Sequence, residues 1–575
     1  MKPLHLALLL SLAPSLPAEA AAAAQELPDL KEEIDLSIRW LRSKQDPKTG
    51  SYGHGVESTA LVLRALSRSP RKYVRSDGPL VARALDFVLE HQDGDGWIAD
   101  EGVDAEERLT QTLSAARALY LYVDPETTPA VARAVSWLAN NGVTEPTSTE
   151  LGFSDEPAEA RRNALSVLST RRADGAWDGE KGAVMTTAMA VLELSHYYPI
   201  LKPKKAKPDS AQALPEFKFS RGPAVDDSIL RGARFLIGAS EEGKWGAPGQ
   251  PDAGMTAMVI AALQAVAQPR PKDIQATIDS GLAWLVSLQR EDGSIHQGRL
   301  GNYVTSASIL ALAASGNPEY RETILRGRDY LVALQADEGE GYSEDHPFYG
   351  GIGYGGDERP DLSNLQMALE ALVASGLEED DEAFARAVRF LERCQNRSES
   401  NDFTGEVEGV QVRPGNDGGA GYYPGESKAG FATLADGTKV PRSYGSMTYA
   451  LLKGYVFAGL ERDDPRVQAA WKWLCENYTL DVNPGFQDSS DPTAPYQGLF
   501  YYFHSMARAL AVFETEVIVD GEGVEHRWQG ELAGRLLAMQ SRLDGSWINV
   551  NAPRWWEGNP VLATSYALLT LQETR

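Results

Sequence analysis

Three residue types suited to acid–base chemistry stand at or near the heads of apolar helical runs in the C-terminal half of this chain. Asp361 opens the run Asp361-Leu-Ser-Asn-Leu-Gln-Met-Ala368, Tyr444 lies in Arg442-Ser-Tyr-Gly-Ser-Met-Thr-Tyr449, and His504 in Tyr501-Tyr-Phe-His-Ser505. An imidazole exchanges protons near neutral pH, and burial or a neighbour tunes a carboxyl or phenol to the same work. Each also has a structural reading. An Asp before an apolar run caps a helix, a His on an aromatic face is commonly a core residue, and the Tyr-rich run from Phe500 to Phe503 reads as core. Around them lie further polar and aromatic candidates for ligand contact: Asn364, Ser446, Tyr349, Tyr354, Tyr422, Tyr423 and Tyr501.

Two loops accompany these residues. Tyr349-Gly-Gly-Ile-Gly-Tyr-Gly-Gly356 has no following Lys-Ser/Thr and no preceding strand, so it reads as a flexible loop and not as a phosphate cradle. The insert from Asn401 to Pro441 is long for a loop inside a compact domain, and loops of that length are commonly functional or disordered. Other chemistry is thin. Cys394 and Cys475 could pair in an oxidising compartment or remain buried thiols, and no Cys-x-x-Cys or His cluster accompanies them. No metal and no cofactor is expected. Asp93-Gly-Asp-Gly reads as a turn and not a calcium loop. Trp555-Trp556 fits either packing at a ring closure or an exposed binding pair.

What must position these residues is a repeat. Phe87-Val-Leu-Glu-His-Gln92 runs into Asp93-Gly-Asp-Gly-Trp97, and the order aromatic–aliphatic, Gln, Gly, aromatic returns along the chain. It is seen at Trp40…Gln45…Gly50-Ser-Tyr52, Trp284…Gln289…Gly293, Tyr330…Gln335…Gly341-Tyr342, Phe390…Gln395 and Leu536…Gln540…Gly545-Ser-Trp547. Degenerate copies surround Trp137, Leu168–Trp177, Phe235–Trp245 and Trp471–Leu474. Gln can satisfy backbone groups left open at a helix end, and Gly permits the left-handed residue just beyond it. Between the copies run helices rich in small residues, such as Met255-Thr-Ala-Met-Val-Ile-Ala-Ala-Leu263 and Ala563-Thr-Ser-Tyr-Ala-Leu-Leu569. These predict a closely packed inner ring, with the Gln-bearing helices outside.

The fold class expected is therefore all-α. Residues 224–575 hold six repeats and read as one (α/α)6 toroid, which six helix pairs close. Residues 25–201 hold four and read as an incomplete toroid or helical arc. The polar, Pro- and Lys-rich stretch 202–223 reads as a linker. Residues 1–24 read as a signal peptide: Lys2 and His5, an apolar run from Leu6 to Leu16, then small residues with cleavage near Ala20 or Ala24. Secretion, to a periplasm or beyond, is the expected localisation, with no integral membrane segment. A net charge of −26 argues against a nucleic-acid partner.

The Gln–Gly–aromatic array resembles the QW repeat of squalene cyclases, oxidosqualene cyclases and protein prenyltransferase β-subunits, members of the terpenoid cyclase and prenyltransferase α/α-toroid superfamily. The resemblance implies the toroid and a central apolar cavity; it does not carry the chemistry. Cyclases of this kind protonate an alkene with the middle Asp of Asp-x-Asp-Asp-Thr-Ala, and here Ser363 and Asn364 stand where the acid pair would be. Prenyltransferases hold zinc with Asp, Cys and His. His504 matches the last, while Tyr444 and Ser446 replace the first two, too few for a catalytic site. The expected function is a secreted, non-cyclase binding scaffold for a hydrophobic small molecule (lipid or isoprenoid) or a protein. The alternatives are a toroid enzyme of another class, a polysaccharide lyase or hydrolase using Asp361, Asn364, Tyr444 and His504, or a terpenoid cyclase with an unorthodox acid.

Overall fold

The computed structural model describes residues 27–53, 55–148, 152–202, 210–247, 249–355, 359–407, 410–486 and 488–575. The expected signal peptide, residues 1–24, lies outside them. The chain divides into two compact units, Met1–Lys204 and Lys205–Arg575.

The first unit contains α1 (Leu30–Arg42), α2 (Val56–Arg68), α3 (Pro79–Glu90), α4 (Ala105–Leu119), α5 (Thr127–Asn140), α6 (Pro157–Ser169) and α7 (Ala183–Leu201). Helix α2 packs between α4 and α7, while α3, α5 and both α1 and α6 back these three from outside. Among the described residues no inner helix lies between α5 and α6, so the unit is an arc of three inner helices.

The second unit is a closed ring. Its inner helices are α9 (Ala253–Leu263), α11 (Gly301–Ala314), α13 (Leu362–Ala374), α15 (Gly445–Phe457), α17 (Leu499–Val512) and α19 (Pro560–Gln572). Each packs on the next, and α19 returns to α9. Outside them stand α8 (Pro223–Gly238), α10 (Lys272–Ser287), α12 (Arg321–Ala333), α14 (Glu382–Cys394), α16 (Pro465–Glu476) and α18 (Trp528–Met539). Small residues let the layers close: a Cβ on Gly454 of α15 would stand 3.0 Å from Leu391 of α14. No described helix is long and apolar enough to cross a membrane.

The glutamines stitch the outer helices together. Gln289 Nε2 donates to the carbonyls of Gly293 in its own turn and Thr323 in α12. Gln395 does the same to Gly418 and Arg466 of α16. Gln540 closes the ring, donating at 2.9 Å both to Gly545 and to Ser228 of α8. Gln45 and Gln92 repeat the arrangement in the first unit. Each amide thus satisfies two carbonyls, at about 1 kcal/mol net apiece. The turn then folds inward, and a Thr on the following inner helix accepts its backbone N–H. Thr59, Thr112, Thr187, Thr256, Thr305, Thr448 and Thr564 all do so. Where the turn residue is Trp, as at Trp245 and Trp547, its indole N–H donates back to its own outer helix at 2.7–2.8 Å.

Two readings of the repeat change. At Gln92 the inward residue is Ile98, with Trp97 stacked under Arg108 at 4.5 Å. Gln335 reaches Gly350 and not Gly341, so residues 337–349 are inserted within one repeat turn. Cys394 and Cys475 are unpaired; Cys394 is buried, and burial pushes its thiol well up. Within the stretch expected as a linker, residues 210–222 form an extended strap on the second unit. Ser220 N–H donates to the Gly530 carbonyl, Arg535 donates to that of Pro215, and the Phe217 and Phe219 rings lie over Gly534 and Gly530. The insert after α14 folds into a four-stranded sheet, in the spatial order Gly405–Val407, Val410–Val412, Lys439–Pro441, Phe431–Thr433.

Candidate functional site

Helix heads at one end of the ring carry most of the candidate residues. Asp361 is the N-cap of α13: one carboxylate oxygen accepts the Asn364 N–H at 2.9 Å, and the other the Asn364 side-chain amide at 2.8 Å. Burial raises its pKa to about 6, against donors from Asn364 and the Tyr422 hydroxyl. Every group bonded to it donates. Asn364 is fixed in turn by Asn302 of α11, whose side-chain amide also donates to the Gly353 carbonyl at 3.0 Å. The backbone N–H of Asn302 donates to the carbonyl of Tyr354.

The Gly-rich segment is therefore no flexible loop over the mouth. Gly350 and Gly351 exchange backbone bonds with Ala336, and residues 349–353 are buried. Tyr349 points away from the other candidates and donates its hydroxyl to Glu338, beyond the C-terminus of α12. Tyr423 packs edge-on to Phe348 and lines a small cavity with Arg393, Cys394 and Asn396. Tyr422, in contrast, joins Asp361 through its hydroxyl and, through its carbonyl, the N–H of Leu362.

Tyr444 occupies the head of α15, buried and edge-on to Phe486 at 5.2 Å. Ser446 beside it is held by Asn483, whose amide oxygen accepts the Ser446 N–H and whose amide nitrogen donates to its hydroxyl. Tyr501, in the first turn of α17, shares a hydrogen bond of 2.9 Å with Ser363 and accepts one from Gln366. His504 lies one turn deeper, near Tyr566. Its Nδ1 is buried with no hydrogen-bond partner among the described residues. Burial pushes its pKa down to about 3, aided by Lys453 and Arg508 and opposed by Glu370, so the ring is neutral. No hydrogen bond joins His504, Tyr444 and Asp361, and the three do not form one acid–base constellation.

Side chains also join next-but-one helices inside the ring. Tyr303 of α11 and Tyr566 of α19 share a hydrogen bond of 3.0 Å across the inner face of α9, and Tyr501–Ser363 crosses that of α15. Deeper still, Glu370 of α13 accepts from Lys453 of α15 and, across α15, from Arg508 of α17. Arg508 also reaches Glu573. Reasoning from the sequence missed this cluster, although a Glu, a Lys and an Arg inside apolar inner helices were its signal. It also missed Glu557, which is buried beneath Trp555-Trp556 and accepts from the Tyr501 N–H at 2.8 Å and the Asn549 amide at 2.7 Å. Among the described residues no three His, Cys, Asp or Glu side chains gather as a metal site.

Burial raises the Glu557 pKa to about 7, against hydrogen bonds from Asn549 and the head of α17. A carboxyl raised above its ordinary 4.5 binds its proton more tightly in the fold than in the unfolded chain. Stability should therefore fall as pH climbs from about 4.5 to about 7 and level off above, by roughly 3 kcal/mol for this group. Asp361 pulls the same way. Glu557→Gln should flatten that slope in urea midpoints read between pH 5 and 8; an unchanged slope would remove Glu557 as its source.

Residues 251–406, from just before α9 into the insert, match the family model described as the squalene-hopene cyclase C-terminal domain. Over that stretch the chain is squalene-cyclase-like, in line with the resemblance carried by its glutamine turns. Among solved structures it is similar to the type II terpene cyclase MstE from Scytonema, at 15% identity over 61% of this chain and 98% of that one, TM-score 0.37. A protein from Actinoplanes is 15% identical over 61% and 99%, TM-score 0.34. The ent-copalyl diphosphate synthase from Streptomyces platensis is 14% identical over 62% and 92%, TM-score 0.22. No curated protein matches.

Proposed function

We propose that this squalene-cyclase-like toroid is a binding scaffold without cyclase chemistry, taking a hydrophobic small molecule or a protein at the mouth formed by its inner-helix heads. The observation that carries the reading is the hydrogen-bonded interior of the ring. Tyr303–Tyr566 and Tyr501–Ser363 tie next-but-one inner helices together inside the ring, taking up room that a cyclising polyprenyl chain would need. The acid is wanting as well. Ser363 and Asn364 cannot protonate an alkene, and the Asp361 carboxylate is taken up in capping α13, where both its oxygens accept from Asn364. The reading includes secretion, supported by the charged, apolar and small-residue order of residues 1–24.

Purified protein incubated with squalene or geranylgeranyl diphosphate should yield no cyclic product above a heat-treated control by gas chromatography and mass spectrometry. Native mass spectrometry of freshly purified protein should show a retained ligand or partner. A cyclic product made by wild type would overturn the reading.

A further inference from the structure

The tandem Trp555-Trp556 belongs to none of the networks above that hold the candidate residues. Both indoles reach solvent, 41% and 64% exposed, and both residues have left-handed backbones, with φ of 55° and 65°. Bulky side chains rarely adopt that conformation, and it persists only where surrounding bonds impose it. Here they do. The Asn559 N–H donates to the Trp556 carbonyl at 2.8 Å and the Asn549 N–H to that of Glu557 at 3.0 Å, with the Glu557 carboxylate anchored beneath. Trp555 rests on Gly498, where a Cβ would stand 3.0 Å from its ring. The pair is a rigid display.

Cations border it. The Arg554 guanidinium lies 5.1 Å from the centre of the Trp555 ring and donates to the Gln497 amide oxygen at 3.0 Å. The Lys428 ammonium stands 4.3 Å from the Tyr422 ring. Tyr422 accepts the Leu362 N–H at the head of α13 and Gln497 precedes the head of α17, so both cations stand at the same ring of helix heads. In a chain of net charge −26 this juxtaposition of cations and open indoles is out of keeping with the acidic whole.

We infer that this end of the toroid binds an acidic oligosaccharide, with a sugar ring stacked on Trp556 and its carboxylate or sulfate held by Arg554 and Lys428. The flat apolar face of an indole complements the C–H face of a pyranose, and a fixed indole loses little freedom on binding. Guanidinium and ammonium groups are the partners for carboxylate or sulfate. A nucleic acid or an anionic bilayer presents charge over a longer track than two cations can meet, whereas a single sugar carboxylate or sulfate matches the pair. The inference rests on the mouth being a binding surface.

Titration of the full-length protein with oligogalacturonate, a heparin-derived oligosaccharide and a neutral cello-oligosaccharide, read by tryptophan fluorescence, tests it. An acidic oligosaccharide should bind, and more weakly as salt is raised. Trp556→Ala should weaken that binding at least tenfold. Arg554→Gln with Lys428→Gln should weaken it to a similar extent while leaving any neutral-sugar binding alone. Thermal melts check that the variants fold, and either variant alone suffices for the comparison. The inference is overturned if no acidic oligosaccharide binds at millimolar concentration, if both variants bind like wild type, or if phosphatidylglycerol vesicles and not sugars bind through these residues. A retained lipid or protein without sugar binding sinks this inference and spares the scaffold reading; a cyclic terpenoid product sinks the scaffold reading.

Discussion

Glu370→Ala should destabilise the C-terminal toroid by about 3–5 kcal/mol, because it strands the buried Lys453 and strips Arg508 of one of its two carboxylates. Lys453 is 2% exposed, and its ammonium donates to one oxygen of Glu370 while the Arg508 guanidinium takes the other. Burial alone would raise the Glu370 pKa, yet Lys453 and Arg508 outweigh it and bring the carboxyl down to about 2. A folded pKa below the ordinary 4.5 means the stabilisation is complete above about pH 4.5 and is lost as pH falls towards 2. Removing the carboxylate at pH 7 should thus act like extreme acid at this one point. Arg508 keeps Glu573, whereas Lys453 has no second carboxylate within ion-pair distance among the described residues. Glu370→Ala combined with Lys453→Met should therefore recover much of the loss, since an apolar pair avoids the desolvation that the ion pair must offset. Urea denaturation followed by tryptophan fluorescence checks both. A single variant costing under about 1 kcal/mol would mean that water reaches the cluster.

The ring was legible because its signals are local and repeated. A Gln four residues beyond an aliphatic and a Gly shortly after it recur often enough to predict the outer helices and their turns. The small residues between them mark the inner layer. What the Gln does was not legible: its second carbonyl, Ser228 for Gln540, lies 312 residues away. The Thr in each inner helix was visible as a small residue, but its bond to the preceding turn depends on the inward fold of that turn. The candidate site was read less well for the same reason. Asp361, Asn364 and Tyr501 do stand at helix heads, since a polar residue at the head of an apolar run is a sequence-level feature, while Tyr422 reaches Leu362 from the insert. Tyr349 was misplaced because Gln335 closes on Gly350, beyond an insertion that shifts the preceding residues outward. Glu370, Lys453, Arg508 and Glu557 pair with residues 8 to 138 positions away. No spacing rule announces that.

Gly350→Ala should cost about 3–5 kcal/mol, well beyond the strain of a left-handed backbone alone. Gly376 supplies the comparison. Both glycines have left-handed φ, 81° at Gly350 and 78° at Gly376, but a Cβ on Gly376 meets nothing within 4 Å. Alanine there should cost only the conformational penalty, about 1 kcal/mol. On Gly350 the same methyl would stand 1.8 Å from the carbonyl oxygen of Arg386 and 2.4 Å from its carbon, in the backbone of α14. A helix backbone cannot yield as a side-chain tip can, so the turn itself must move. Moving it pulls the Gly350 carbonyl from the Gln335 amide, now 3.0 Å away, and strains the bond from its N–H to Ala336. The loss reaches the mouth as well. Gly353 and Tyr354 follow directly and offer the carbonyls that hold Asn302, which holds Asn364 under Asp361. Paired melts of the two variants should show a large drop for Gly350→Ala and a small one for Gly376→Ala. Any ligand bound at the mouth should weaken only with the former. Equal melting points would mean that the turn does not lie against α14 in solution.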